Sequence, residues 1–267
     1  MNDIKPHLSH SQMMTFLRCP EAWRRRYVEG HKVPPGIVAF IGSGVHAADS
    51  MNFVQKIESH VDLKPSEFRD AAVAELDARI EDEGVSLQEE DGSLESVVGK
   101  ARDQTAALAF LHATQVAPDY QPAHVEREFR IDLPKNSFDL VGFIDLEDDK
   151  GRVVDFKTTG RRKQQAEADR SLQLSVYAAA HAVQTGKLPG SLVLDVTMRT
   201  DNPSRYTLET HRDKADLQVL ANTVAVVSRG IESGVFPPAP EGSWWCSKKF
   251  CGYWSTCAFV NAKKLKP

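Results

Sequence analysis

This 267-residue chain has few cysteines, and it lacks both a long apolar run and an apolar segment near its first residue. Its four cysteines are too few for the disulfide framework of a small secreted protein. No uncharged apolar stretch reaches the ~18 residues of a membrane-spanning helix, and the first residues lack the apolar segment of a secretory signal. A Walker A pattern is also missing, which argues against an ATP-driven motor. We therefore expect a cytoplasmic protein without a membrane segment.

The composition is that of an ordinary globular protein, with 41% hydrophobic and 26% charged residues. Its 33 basic and 37 acidic residues give a formal charge of −4, but the charge is unevenly distributed. Residues 75–95 contain nine acids and one base, a charge of −8, which leaves +4 for the rest of the chain. Basic clusters at 24–26, 161–163 and 248–266 permit a polyanionic partner without demonstrating one.

The hydrophobic pattern predicts a helical first part, a mixed α/β middle and an irregular end. Helices are expected at four places, the first interrupted at Pro20 and N-capped by Ser9 or Ser11: 11–27, 44–60, 66–81 and 94–113. After Pro122 the pattern predicts three strands, a helix, two strands and a helix: 125–133, 138–146, 152–158, 165–184, 191–199, 205–210 and 211–233. This order indicates a mixed α/β core with an appended helical lobe.

The most informative segment is a predicted β-hairpin that reads GFID, a turn, and then VVDFKT. Residues two apart on a strand share a face, so Asp155 and Lys157 should point the same way while Val154 and Phe156 face the core. Asp145 lies on the preceding strand, roughly across the hairpin. Two carboxylates and an ammonium would then meet on one patch, which suits Mg²⁺ or Mn²⁺ with bound water. The alternative is a cross-strand salt bridge on a sheet surface.

Two further groups are candidates for the same site. His46 follows a Gly-x-Gly segment, which we interpret as a flexible turn that places this potential ligand at the start of a helix. Gln173 and Tyr177 are spaced i, i+4 and share one helix face, where they would suit a nucleic-acid backbone or a water network. An ordinary half-exposed histidine and an amphipathic helix boundary are the alternatives.

The cysteines form a one-plus-three pattern, with one near the start and a C-x4-C-x5-C trio near the end: Cys19, Cys246, Cys251 and Cys257. This number matches an all-cysteine tetrahedral metal site or an iron–sulfur site. A shared site would join segments 227 residues apart and hold the proline-containing tail in place. Buried free thiols are the alternative.

The ordered set of motifs resembles the RecB-like branch of the PD-(D/E)XK nucleases. The matching motifs are Gly-x-x-x-His at 42–46, Gly-x-Ile-Asp at 142–145, Asp-x-Lys at 155–157 and Gln-x-x-x-Tyr at 173–177. The opening LRCPEAW at 17–23 and the cysteine pattern resemble the iron–sulfur members of that branch. Those members include the AddB nuclease domain and the CRISPR-associated RecB-like exonucleases.

The resemblance implies a single α/β nuclease domain over 1–267 with a restriction-endonuclease-like core, in which helices flank a mixed central sheet. Its parts would be a mainly helical segment 1–120, a catalytic core 121–235 and a cysteine-clipped tail 236–267. The implied activity is that of a Mg²⁺- or Mn²⁺-dependent deoxyribonuclease. It would act as an exonuclease on DNA ends or single strands in recombination, repair or phage DNA metabolism, in a host cytoplasm if phage-encoded. A recombination or replication protein is an expected partner.

The same resemblance implies a role for each motif residue. The groups expected to bind the catalytic metal are three side chains and one backbone carbonyl, those of His46, Asp145, Asp155 and Phe156. Lys157 would orient the attacking water, while Gln173 and Tyr177 would shape the site and touch the DNA. The cysteines would hold a 4Fe-4S cluster, with Zn²⁺ as the other candidate.

Two further expectations concern the path of the DNA and the class of the protein. Arg161, Arg162 and Lys163 directly follow the Asp-x-Lys strand, so we expect them to contact phosphates. A catalytically silent DNA-end-binding or adaptor protein with a structural zinc site is the alternative to a nuclease. Such a relative would be expected to lack at least one motif residue, and all of them are present here.

Overall fold

A computed structural model describes residues 6–87, 92–133 and 136–260. The chain forms two compact units. The first comprises Met1–Pro34, Asp132–Val141 and Ala221–Pro267, and the second comprises Pro35–Ile131 and Gly142–Leu220. Part of the acidic segment, at 88–91, and the last basic residues, within 261–267, lie outside the described residues.

The order of elements follows the predicted order. The helices are α1 (His10–Arg18), α2 (Pro20–Tyr27), α3 (Ile37–Ser59), α4 (Pro65–Glu83), α5 (Leu94–Leu111), α6 (Gln165–Asp169), α7 (Leu172–Thr185) and α8 (Lys214–Glu232). The strands are β1 (His7–Leu8), β2 (Pro122–Ile131), β3 (Asp139–Asp148), β4 (Arg152–Thr159), β5 (Ser191–Met198) and β6 (Ser204–Thr210). A π-helical turn at His112–Val116 continues α5, and the tail is irregular, as predicted, with a 3-10 turn at Trp254–Thr256.

Residues of the predicted kinds start α1 and α2, and an aspartate starts α8. The Ser9 hydroxyl accepts a hydrogen bond from Gln12 N–H at α1, and Pro20 occupies the first turn of α2. Asp213 Oδ1 accepts the N–H of Ala215 at 2.7 Å at the start of α8. These boundaries were readable because a cap depends on a few neighbouring residues.

Two helix predictions are wrong in detail. The helix expected at 165–184 is two helices, because Ser171 adopts an extended conformation and its hydroxyl caps α7 by accepting Leu174 N–H. The interpretation of Gly42 and Gly44 as a flexible turn is also wrong, since both lie inside α3, which begins at Ile37. His46 therefore lies in the body of a helix and not at its start.

Gly44 marks a close approach of α3 to α4. A Cβ atom added at Gly44 would lie 2.5 Å from the carbonyl oxygen of Ala72, whereas one added at Gly42 would meet nothing within 4 Å. Only the second glycine of the pair is therefore required by packing. Because interiors are close-packed and helix backbones yield little, Gly44 fixes how near α3 lies to α4.

Helix α3 is also the one helix in the described part of the chain that is long and apolar enough to cross a membrane by length and composition. Its apolar sequence is interrupted by Asp49 and Lys56, both buried and both hydrogen-bonded. Its apolar side chains pack in the second unit, where α3, α4 and α5 share a core of Phe40, Ile41, Val45, Leu76, Ala101 and Leu108.

The sheet of the second unit is mixed. Antiparallel β3 and β4 place Leu146 opposite Val154, β4 and β5 run parallel, β5 and β6 run antiparallel, and β2 pairs with β3. Helices α6 and α7 connect β4 to β5, as a parallel pair requires. Helices α3 and α7 both pack against β2 and β4. The expected class, a mixed α/β sheet flanked by helices, is confirmed.

The first unit holds one strand pairing that the sequence analysis did not predict. His7 and Leu8 of β1 lie parallel to Asp139 and Leu140 at the start of β3. A two-residue strand has too few positions to show an alternating pattern, so no sequence signal marked it.

We predict that Gly44→Ala lowers the free energy of unfolding by about 1–3 kcal/mol, because the new methyl group overpacks against a helix backbone. The matched control is Gly42→Ala in the same helix, which has open space and should be neutral or gain about 0.5–1 kcal/mol from helix propensity. Urea denaturation of the three proteins measures both effects. Equal stability of the two variants would show that α3 and α4 tolerate a wider separation.

Candidate active site

The two motif carboxylates lie on adjacent strands of the second unit. Asp145 is 8% exposed and Asp155 is fully buried. Asp145 precedes Leu146 on β3 and Asp155 follows Val154 on β4, and Leu146 and Val154 are paired across the hairpin. Lys157 Nζ donates to Asp155 Oδ1 at 2.7 Å. The predicted alternation along β4 is therefore confirmed. The neighbours Val154 and Phe156 lie in the apolar core, so the alternating strand leaves Asp155 and Lys157 together.

The Asp145 carboxylate is fixed by donors from two other parts of the second unit. Phe156 N–H donates to Oδ2 at 3.1 Å, and the Tyr177 hydroxyl donates to Oδ1 at 2.6 Å. Gln173 Nε2 donates in turn to the Tyr177 hydroxyl at 2.9 Å. The i, i+4 pair on α7 thus shapes the site through Asp145. Tyr177 is only 4% exposed, which suits this supporting contact.

His46 and Glu126 complete a close cluster with Asp145. His46 Nε2 lies 3.2 Å from Asp145 Oδ2, and His46 Nδ1 lies 3.4 Å from Glu126 Oε1. One ligand atom from each of the three residues lies within 4.8 Å of the others, close enough to share one metal ion. The structure therefore joins the predicted His46 and Asp145 and adds Glu126, which the sequence analysis missed.

Glu126 has an unusual backbone conformation for a strand residue. Its φ is +46°, a left-handed value that non-glycine residues adopt rarely and at a cost of about 1–3 kcal/mol. The segment AHVEREF contains no glycine or asparagine at this position to indicate such a kink. The side chain therefore departs from the strand alternation that sequence reasoning relies on.

The glycine of the Gly-x-Ile-Asp motif has a packing role next to this segment. A Cβ atom at Gly142 would lie 2.8 Å from Phe129 Cζ, so β3 can approach the β2 ring only with glycine there. This contact seats β3, and with it Asp145, against β2.

The charges of the site are strongly coupled. Burial, helped by Asp145 and opposed by Lys157, raises the pKa of Asp155 to about 6. Burial disfavours the charged form of His46, but Asp145 outweighs it and raises the pKa of His46 to about 9. Burial also disfavours the charged form of Lys157, but Asp155 and Asp145 outweigh it and raise the pKa of Lys157 above its usual value. Lys157 is therefore a hydrogen-bond donor at neutral pH.

One buried oxygen of the site lacks a partner. Within the described residues, Asp155 Oδ2 is buried and makes no hydrogen bond. Such an atom is costly unless water or a cation satisfies it. Asp155 stands outside the close group of His46, Glu126 and Asp145. When an ion binds, His46 would release its proton, and the donor set of carboxylate oxygens and one imidazole nitrogen then fits Mg²⁺ or Mn²⁺ with bound water.

A cleft of about 610 Å³ opens beside these groups and is lined by His46, Glu126, Phe156 and Lys157, among others. Phe156 lines it while its ring stacks on Phe53 at a centroid distance of 5.7 Å in the core. Arg79, the one base in the acidic segment, also lines the cleft. Its guanidinium is paired with Glu75 at 2.6 Å and with Glu83 at 3.4 Å, so Lys157 is the lining cation that lies against the motif carboxylates.

A buried hydrogen-bond chain lies behind His46. His112 Nδ1 lies 2.9 Å from Asp49 Oδ2, and His112 Nε2 lies 2.8 Å from the Thr197 hydroxyl. All three residues are at most 3% exposed. Because Asp49 is three residues after His46 on α3, this chain ties the helix to β5 and fixes the face that it presents. Sequence reasoning missed the chain because its members are 63 and 85 positions apart.

The basic cluster after β4 is largely paired. Arg161 and Lys163 contact Glu167 at 2.6 Å and 3.5 Å. The Arg161 hydrogen bond, followed by that of the Gln164 backbone N–H, lowers the pKa of Glu167 to about 2. The guanidinium of Arg162 lies 4.2 Å from the ring centre of Tyr206. None of the three predicted DNA-binding residues lines the cleft.

The four cysteines come together in the first unit, where Cys19, Cys246, Cys251 and Cys257 line one cavity of about 510 Å³. Cys19 joins α1 to α2, and none of the four forms a disulfide. Burial raises the pKa of Cys19, while backbone N–H groups of Ala22 and Ala239 point at its sulfur and favour the thiolate.

The tail that carries the trio is pinned to the helical start of the chain. Trp245 Nε1 donates to the Arg18 carbonyl at 3.2 Å, and the Tyr253 hydroxyl donates to the His31 carbonyl at 2.7 Å. Arg25 donates to the Thr256 hydroxyl at 2.9 Å. The irregular tail thus has specific partners around Cys19.

The chain belongs to the PD-(D/E)XK nuclease superfamily, whose family profile matches residues 7–258. Among solved structures it is similar to a protein from Eubacterium rectale described as a "putative exonuclease", with 13% identity, a TM-score of 0.58, and coverage of 98% of this chain and 89% of that one. A second structure, of SSO0001, has 13% identity, a TM-score of 0.35, and coverage of 86% and 88%. No curated protein matches the chain.

We predict that Glu126→Gln weakens Mn²⁺ binding about 10- to 100-fold, because it removes a charge from the cluster around His46. The matched control is Glu128→Gln, an exposed residue two positions further along β2. Isothermal titration calorimetry measures both affinities. If the two variants bind Mn²⁺ as tightly as the wild type, Glu126 has no part in metal binding.

Proposed function

We propose that the protein is a Mg²⁺- or Mn²⁺-dependent deoxyribonuclease of the RecB-like branch that degrades DNA from its ends or along single strands. The observation that carries this proposal is the convergence of His46, Asp145, Asp155 and Lys157 from α3, β3 and β4, with an unpartnered buried carboxylate oxygen among them. Membership of the nuclease superfamily supplies the reaction class. The expected setting is recombination, repair or phage DNA metabolism, with a recombination or replication protein as a partner.

The residues of the site divide the work of phosphodiester hydrolysis. His46, Asp145, Asp155 and the Phe156 carbonyl would hold the divalent ion, with Glu126 beside them. When bound, that ion neutralises charge on the scissile phosphate and activates a water molecule. Lys157, kept protonated and anchored by Asp155, donates a hydrogen bond that orients the attacking water. Gln173 and Tyr177 act through Asp145 by holding its carboxylate in one rotamer.

An exonuclease is favoured over an endonuclease by one comparison. The protein from Eubacterium rectale that shares this fold is itself described as a "putative exonuclease". The silent DNA-binding alternative is not favoured, because the motif residues are all present, with His46 against Asp145 and Lys157 against Asp155.

The cysteine cavity suits a 4Fe-4S cluster better than Zn²⁺. Zinc–sulfur bonds of about 2.3 Å in a tetrahedron bring four sulfurs to about 3.8 Å from one another. Yet among the described residues the close groups of ligand atoms, within 4.8 Å, include no three of the four cysteines. The four cysteines share one cavity, and backbone N–H groups near the Cys19 sulfur supply the hydrogen bonds that iron–sulfur ligands commonly receive.

We predict that Asp155→Asn and Lys157→Ala each lower the rate of DNA cleavage on the order of 10²-fold or more, since each removes a group that holds the ion or the water. End-labelled linear single strands and duplexes, with Mg²⁺ or Mn²⁺, give the rates, and covalently closed circles of the same sequence should resist.

Exposed residues of the same types serve as controls: Asp201→Asn and Lys187→Ala should cleave like the wild type. Circular dichroism checks that every variant is folded. Wild-type rates in Asp155→Asn and Lys157→Ala would remove the catalytic assignment, and rapid cleavage of circles would replace the exonuclease with an endonuclease.

We further predict that Arg161, Arg162 and Lys163 contact DNA phosphates. Replacing all three by Ala should reduce the slope of log K against log salt by about 1–2, because Glu167 already neutralises part of their charge. Arg102→Ala, an exposed arginine paired with Asp77 on the helical side, should leave the slope unchanged. An unaltered slope in the triple variant would assign these residues to the solvated surface.

For the cysteine site we predict a brown protein with broad visible absorption, and loss of both iron and sulfide in Cys251→Ser with a lower melting temperature. Ser255→Ala, a substitution in the same tail outside the cysteine set, is the control and should retain iron and sulfide. A colourless wild-type protein that contains one zinc ion would establish the zinc alternative.

A further inference from the structure

An aromatic cluster lies on the surface of the first unit, in the tail between the cysteines. Trp244 is 63% exposed and Phe250 is 56% exposed, although burying a large aromatic side chain stabilises a protein more than burying most other side chains. The ring centres of Trp244 and Phe250 are 4.8 Å apart and perpendicular, and those of Trp244 and Trp245 are 5.6 Å apart at 81°. Trp244 therefore stands on two supporting rings with much of its own surface open to solvent.

Trp245, at the base of the cluster, contacts the end of α1. The indole N–H of Trp245 donates to the Arg18 carbonyl, and the Arg18 guanidinium lies 6.0 Å from the centre of the Trp245 ring. A fixed aromatic platform loses little conformational entropy when a flat ligand stacks on it. This arrangement differs from a scattered exposed apolar residue, which needs no functional explanation.

The charge around the cluster identifies the ligand. Lys248 and Lys249 stand between Trp245 and Phe250 in the chain, and the described part of the tail, residues 233–260, contains one acid, Glu241. Aromatic faces interleaved with cations are how proteins bind single-stranded nucleic acid, since bases stack on the rings and phosphates meet the cations. An acidic protein segment would use the cations and an apolar segment would use the rings, whereas a single nucleic-acid strand presents bases and phosphates in alternation along one chain.

We propose that Trp244 and Phe250 form a stacking site for unpaired DNA bases, which would give the protein a preference for ends that carry a single-stranded segment. This inference rests on the proposed function, because it assumes that DNA is the substrate. It concerns binding by the first unit and needs no cleavage, so the two proposals can fail separately.

The test measures binding of the full-length protein, cysteine site loaded, to a fluorescein-labelled 20-nucleotide strand without added divalent ions. Trp244→Ala and Phe250→Ala should each weaken binding about fivefold or more, as expected for the loss of one stacked base. Trp244→Phe should retain most of the affinity. The control is Phe110→Ala, a residue of the second unit that is 58% exposed and should bind like the wild type.

Two further probes separate stacking from other causes. A strand with abasic sites should bind the wild type weakly and should not discriminate it from Trp244→Ala, and a blunt duplex should bind all variants within about twofold of the wild type. Equal loss on single strand, abasic strand and duplex would overturn the proposal, as would unchanged affinity in both alanine variants. Dissociation of a wild-type dimer by Trp244→Ala, seen in sedimentation velocity with strand affinity intact, would assign the cluster to a second copy of the chain. Strand affinity lost in Trp244→Ala in a protein that never cleaves DNA would uphold this site and reject the nuclease.

Discussion

The candidate site depends on one buried carboxylate, whose position is fixed by contacts from three structural elements. Asp145 accepts hydrogen bonds from Phe156 N–H on β4 and from the Tyr177 hydroxyl on α7, and it lies against His46 on α3. A buried carboxylate with several donors is fixed in position, and its charge sets the protonation of the groups around it. The position of the Asp145 carboxylate therefore depends on the register of the hairpin, on the packing of α7 and on the orientation of α3.

The rest of the site follows from keeping negative charge in a small volume. Asp155 is placed beside Asp145 by strand alternation, and its pKa is raised to about 6 because burial and a like charge oppose ionisation. Lys157 offsets part of that charge, and an oxygen of Asp155 stays without a partner in the described residues. A site with this imbalance favours a small divalent cation and disfavours an anionic strand until the cation is bound.

Local rules account for what could be predicted from the sequence. The alternation of Val154, Asp155, Phe156 and Lys157 follows from the two-residue period of a strand, and the caps of the helices follow from a few adjacent residues. Glu126 could not be predicted, because its positive φ departs from that period and depends on tertiary packing. Gly44 is a related case: a glycine pair resembles a turn, and only the backbone of Ala72 on α4 shows why a glycine is needed inside a helix there. The Asp49, His112 and Thr197 chain is likewise invisible without the fold, since it joins positions far apart in sequence.

The central claim is that the Asp145 cluster holds the ion that cleavage requires, and a comparison of metal occupancy with reaction rate tests it most directly. Calorimetry gives the Mn²⁺ concentration that half-fills the site, and single-turnover cleavage of a linear strand gives the concentration that half-activates the protein. The account predicts that the two midpoints agree for the wild type and that Asp145→Asn loses both the binding and the cleavage. Cleavage that persists in EDTA, or Asp145→Asn that still binds Mn²⁺ and cleaves at the wild-type rate, would contradict it.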